Sequence, residues 1–184
     1  MTPEQIALVQ SSYERLGPRR RAMATRFYQE LFAQDPALRA LFSTDLAEQE
    51  ARFAGKLTEI VLAMPRLGEL LVHTQALGAL HVGYGVRAAD YQKVGAALVA
   101  ALAAVLGEGF DGPTREAWTL AYNLIAETML EGAAAGRTVA RCLGEQPAPP
   151  MRSYDETDVG WSEPPEPDDD ERLGRDRPPH WQSG

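Results

Sequence analysis

Apolar residues recur along most of this chain at intervals of three and four, in blocks separated by glycine and proline. That spacing predicts helices. Thr2, Pro3 and Gln5 form a capping-box start with proline at the first helical position, and Ile6, Val9, Tyr13 and Leu16 then mark one buried stripe. Gly17-Pro18 breaks this helix. A second is predicted over about residues 19–33, with Ala24, Phe27 and Leu31 on one face and Tyr28 beside them. Asp35-Pro36 opens a short helical turn ending near Leu41-Phe42. Ser43-Thr44-Asp45 can cap the next helix, whose apolar positions include Leu46, Phe53, Leu57, Ile60, Val61 and Met64, and Pro65 marks its end. A shorter helix follows over about residues 67–81, interrupted by Gly78 and closed by Gly83 and Gly85. Residues 90–106 carry Val94, Leu98, Leu102 and Val105 with alanines between them, and Gly107 and Gly109 stop the run. Gly112-Pro113 begins a last long helix in which Trp118, Tyr122, Ile125 and Met129 share a face. No alternating strand pattern or hairpin dipeptide lies between apolar runs. The expected class is all-α, with six or more helices of unequal length.

Residues 145–184 have a different composition. They hold eight of the thirteen prolines, eleven acidic and four basic residues, and almost no large aliphatic side chains. Such a segment buries too little apolar surface to offset chain entropy, so it reads as a disordered, acidic, Pro-rich tail following a domain over residues 1–144. Most of the net charge of −8 belongs to it: residues 1–144 carry fifteen acidic and fourteen basic residues. A nearly neutral body without a Lys/Arg stripe argues against nucleic acid as partner. Cys142 is the single cysteine, so no intrachain disulfide is expected. The start, Met-Thr-Pro-Glu-Gln, does not read as a signal peptide, and the apolar run over residues 94–106 is shorter than the ~20 residues of a spanning helix. A cytoplasmic protein without membrane attachment is the expectation, as a monomer or homodimer.

Phosphate-binding glycine loops, zinc-type Cys/His clusters and nucleophile elbows do not occur. The remaining candidate chemistry is histidine: His73, His81 and His180. His81 sits in Leu77-Gly78-Ala79-Leu80-His81-Val82-Gly83-Tyr84, with Leu77 one turn before it on the same face. An imidazole on an apolar helix face before a glycine-rich turn suits an axial iron ligand, and it equally suits an ordinary helix end. His73, eight residues earlier, lies on a similar side of an ideal helix.

The order Phe27-Tyr28, Asp35-Pro36, Leu41-Phe42, Gln49, His81 and Trp118 resembles the bacterial single-domain globins and the globin domain of flavohaemoglobins, over about residues 3–132. The resemblance implies a globin fold of six to eight helices around haem b. His81 would be the proximal iron ligand, Tyr28 the tyrosine facing the bound gas, Phe42 the ring packed on the haem, Gln49 the distal polar residue and Phe53 the apolar residue one turn beyond it. Leu77 and Tyr91 complete the expected haem contacts. His81 is preferred to His73 because the Gly-Tyr-Gly-Val corner follows it alone. Read without the resemblance, Tyr28 is a core tyrosine, Gln49 belongs to a solvated helix face, and the phenylalanines are core.

Flavohaemoglobins hold the proximal histidine with a tyrosine and a glutamate. Tyr91 matches the tyrosine, but the glutamate position falls on Ala133, and Glu131 lies ~200° away around an ideal helix. The implied function is reversible binding of oxygen, nitric oxide or carbon monoxide. Nitric oxide dioxygenation would draw electrons from a separate reductase, since flavin and nicotinamide domains are absent from this sequence. The alternative is a haem-free globin-fold regulatory or interaction module acting through its acidic tail.

Overall fold

The computed structural model describes residues 1–42, 45–83 and 86–143. Six α-helices account for nearly all of them: α1 (Pro3–Leu16), α2 (Arg20–Gln34), α3 (Leu46–Ala63), α4 (Leu67–Gly83), α5 (Ala88–Leu106) and α6 (Gly112–Leu143). Tight 3-10 turns bridge several of them, and no strand occurs among the described residues. The expected tail at 145–184, and the residues Tyr84 and Gly85 after His81, lie outside the described residues.

The helix ends follow local chemistry. Thr2 Oγ1 accepts the Gln5 amide N–H, and Gln5 Oε1 accepts the Thr2 N–H in return, so the capping box is complete. Gly17 ends α1 with φ of 49°, a left-handed conformation that glycine reaches without a Cβ clash. Asp35 and Asp45 each accept a backbone N–H two residues on, from Ala37 and Ala47, and so start the turn Pro36–Leu41 and helix α3. Helix α5 begins two residues before the sequence pattern suggested. There Asp90 Oδ2 accepts the Arg87 N–H and the Arg87 guanidinium bonds both carboxylate oxygens.

One expectation is corrected. Gly78 does not interrupt α4, which runs unbroken from Leu67 to Gly83. A glycine inside a helix pattern has two readings, a break or a close approach. Here it is a close approach: a Cβ at Gly78 would meet the Met129 carbonyl oxygen of α6 at 1.9 Å.

Two layers of contact organise the bundle. Helix α2 lies along α5, where Ala97 and Ala101 are fully buried and let the backbones come near. Helix α6 packs on α4 toward its C-terminal half and on α1 toward its start. The α1 contact is fixed by a buried bond, with Trp118 Nε1 donating to Ser12 Oγ at 2.8 Å and Ser12 Oγ donating to the Val9 carbonyl. Helix α5 is long and apolar enough, by length and composition, to cross a membrane. Its Ala97, Leu98, Ala101 and Leu102 are buried in the bundle, which is the pattern of a core helix.

Candidate functional site

The central cavity has a volume of about 280 Å³ and is lined from all of α2 to α6. That approaches the lower end of the range for small-molecule and cofactor sites, roughly 300–1,000 Å³. All seven residues singled out from the sequence line it: Tyr28, Phe42, Gln49, Phe53, Leu77, His81 and Tyr91. His73 does not. It is exposed, with Nδ1 on the Glu69 carbonyl.

Helix α2 presents Tyr28 because Met23, Ala24, Phe27 and Leu31 bury its inner face. Tyr28 is 2% exposed, and the Phe27, Phe42 and Phe53 rings all meet it edge-on at centroid distances of 5.0 to 5.9 Å. Phe53 in turn stacks on Phe27 at 4.2 Å. This aromatic cluster is a wall built by α2, the turn before α3, and α3 itself. Gln49, expected on a solvated face if it had no site role, is 1% exposed and borders the cavity. A buried neutral amide carries no charge penalty and offers two donors.

Helix α4 supplies the basic nitrogen. His81 Nδ1 lies 3.0 Å from the Leu77 carbonyl oxygen. A carbonyl only accepts, so Nδ1 carries the hydrogen, and the neutral ring's basic lone pair is on Nε2. Leu77 lines the same cavity one turn earlier and packs against a cluster of Tyr91, Ala126 and Met129. The Tyr91 backbone carbonyl accepts the Tyr122 hydroxyl, whose pKa burial pushes well above its ordinary value. The glutamate expected beside a flavohaemoglobin-type histidine has no equivalent at this position. Ala133 is buried, whereas Glu131 is exposed.

The sequence reading missed a charged group at the cavity's edge. Asp90, 2% exposed, lines the cavity and binds Arg87 and Lys93. Lys93 Nζ also reaches Asp35 at 2.7 Å, joining the end of α2 to the start of α5. The hydrogen bond from Lys93 holds the Asp35 carboxyl below its ordinary range. For Asp90, burial acts to raise the carboxyl, but the hydrogen bonds from Arg87 and Lys93 outweigh it and leave it lowered. The Arg87–Asp90 spacing of three was a local signal for part of this group. Asp35 and Lys93, 58 residues apart, gave none.

A globin family model matches residues 25–129. Among curated relatives, the flavohemoprotein of Vibrio cholerae is 26% identical over 135 residues, covering 71% of this chain and 34% of that protein. The flavohemoprotein of Deinococcus radiodurans is 31% identical over 137 residues, 71% of this chain and 33% of that protein. Neuroglobin of Chaenocephalus aceratus is 27% identical over 142 residues, 68% of this chain and 87% of that protein. The chain thus spans about a third of the length of the flavohemoproteins it matches. Among solved structures, an engineered carbene transferase from Rhodothermus marinus superposes with a TM-score of 0.66 at 23% identity, covering 79% of this chain and 99% of that one. That likeness is one of fold.

Proposed function

This chain belongs to the globin family, and from that premise we propose that it binds haem b in the central cavity and takes up oxygen, nitric oxide or carbon monoxide there. The observation that carries this reading is His81. Its imidazole borders the cavity, its Nδ1–H is engaged by the Leu77 carbonyl, and Nε2 is the ring's basic atom. The donor set fits the group: one neutral nitrogen ligand in a cavity with aromatic and aliphatic walls. Haem, when bound, would supply an iron able to take up a diatomic gas.

The chain's own residues would divide the work. His81 would hold the iron. Tyr28 and Gln49 offer neutral donors to a ligand that gathers negative charge, a stabilisation that low polarity strengthens. Phe42, Phe53 and Leu77 exclude water. With the Leu77 carbonyl as acceptor and alanine at position 133, no carboxylate from that position pulls on the His81 proton. The lack of a carboxylate at that position favours reversible gas binding over peroxidase-type chemistry. Nitric oxide dioxygenation would draw its electrons from a reductase, and the expected place is the cytoplasm.

The test is the ferrous spectrum of the haemin-reconstituted chain with and without oxygen, in wild type and in Tyr28→Phe. Wild type is expected to show an oxygen-dependent shift, and loss of the Tyr28 hydroxyl to speed oxygen release about tenfold, the kinetic equivalent of ~1.4 kcal/mol for one hydrogen bond. A colourless protein that refuses haemin would overturn the reading and favour a haem-free module. An unchanged release rate would remove Tyr28 from the gas-binding wall.

A further inference from the structure

Helices α4 and α6 cross backbone to backbone, and the crossing is reciprocal. A methyl at Gly78 would stand 1.9 Å from the Met129 carbonyl oxygen, and a methyl at Gly132 would stand 1.8 Å from the Gln75 carbonyl oxygen. Gln75 and Gly78 are one turn apart on α4, as are Met129 and Gly132 on α6, so each helix sets its glycine against a carbonyl of the other. Glycine inside a helix costs stability relative to alanine. Two facing glycines at the centre of one contact therefore indicate that close approach is what the packing requires.

The same stretch of α4 carries the cavity residues Thr74, Leu77 and His81, while α6 contributes Ala126 and Met129 to that cavity. His81 follows Gly78 by three residues, about 4.5 Å along the helix axis. Its Nδ1 acceptor is the carbonyl of Leu77, the residue immediately before Gly78. We propose that Gly78 and Gly132 are positioning residues for His81, setting the distance between α4 and α6 and so the depth at which the imidazole stands in the cavity. The proposal rests on the haem reading given above. An ordinary carbon contact begins near 3.4 Å, so a methyl at either site displaces α4 by on the order of 1 Å, because packed interiors transmit rather than absorb such a strain.

Other glycines provide a graded series. A Cβ at Gly136, one turn beyond Gly132, would meet the Ala79 Cβ at 3.3 Å and the Ala79 backbone no nearer than 3.5 Å, and one at Gly55 on α3 would meet nothing within 4 Å. The full chain is reconstituted with haemin as wild type, Gly55→Ala, Gly136→Ala, Gly132→Ala and Gly78→Ala. The iron–histidine stretch of the reduced protein and the rate of haemin release to excess apomyoglobin are then measured. Gly55→Ala should match wild type, Gly136→Ala should show a small shift of the stretch, and the other two a larger one. The last two should also release haemin about tenfold faster or more. Should those two fail to fold, Gly136→Ala against Gly55→Ala decides alone: the stretch must move in the first and not in the second. An unchanged stretch across every folded variant overturns the positioning role, whatever happens to stability, while leaving haem binding intact. A wild type that takes up no haemin overturns the haem reading itself.

Discussion

Replacing His81 by alanine is expected to abolish the normal Soret band of the reconstituted protein and to release haemin at least about a hundredfold faster, equivalent to ~2.7 kcal/mol of lost affinity. Burial of a porphyrin between apolar walls contributes affinity without orientation, whereas a coordinate bond fixes both depth and plane. His73 cannot substitute, because it is exposed and outside the cavity. Of the polar residues on the lining, the imidazole is the donor best suited to the iron. Added imidazole should restore the wild-type spectrum in the variant, since the truncation leaves a space of the right shape. A His81→Ala protein with an unchanged spectrum would place the iron elsewhere.

The largest effect on stability is expected at Trp118. Its side chain is 2% exposed, lines the cavity beside Ala121, and closes the junction of α6 with α1. Trp118→Ala removes a large apolar surface, leaves a void, and takes away the donor to Ser12 Oγ. Such truncations cost about 3–5 kcal/mol, which for a domain of this size is on the order of 10–20 °C in Tm. Trp118→Phe keeps most of the packing and loses the hydrogen bond, so about 1–2 kcal/mol is expected. Urea unfolding followed by far-UV circular dichroism measures both. Equal losses in the two variants would assign the stabilisation to the hydrogen bond rather than to the buried ring.

What the sequence made legible is what local rules govern. The capping box at Thr2 and Gln5, the break at Gly17-Pro18 and the stops at Pro65 and Gly107 are short-range chemistry, and each appears where the residues indicated. Seven residues picked out by their order along the helices all border one cavity. Spacing could not disclose ring geometry. Phe42, for instance, meets Tyr28 edge-on at 85° and 5.4 Å. Nor could it tell a helix-breaking glycine from a helix-crossing one, because the partner that distinguishes them at Gly78 is Met129, on another helix. The Asp35–Lys93 pair was hidden for the same reason. Ala133 shows the opposite case: counting around an ideal helix placed Glu131 on the wrong side, and Glu131 is indeed exposed while Ala133 is buried.

The carboxylates around Lys93 also give the bundle a direction in which to fail. Asp35 and Asp90 both titrate below 3.8, the ordinary value for the side chain. Their contribution to stability is therefore complete above that value and vanishes as the pH drops through their lower folded pKa. Strong acid should accordingly unfasten the seam between the end of α2 and the start of α5 first, where Asp35 and Lys93 form an ion pair, before the α4–α6 crossing, which has no ion pair among the described residues. In Lys93→Met, the gap in urea stability from wild type should narrow as the buffer moves from neutral to pH about 3. A gap of constant width would mean that the lysine acts there through its hydrocarbon stem and not through its charge.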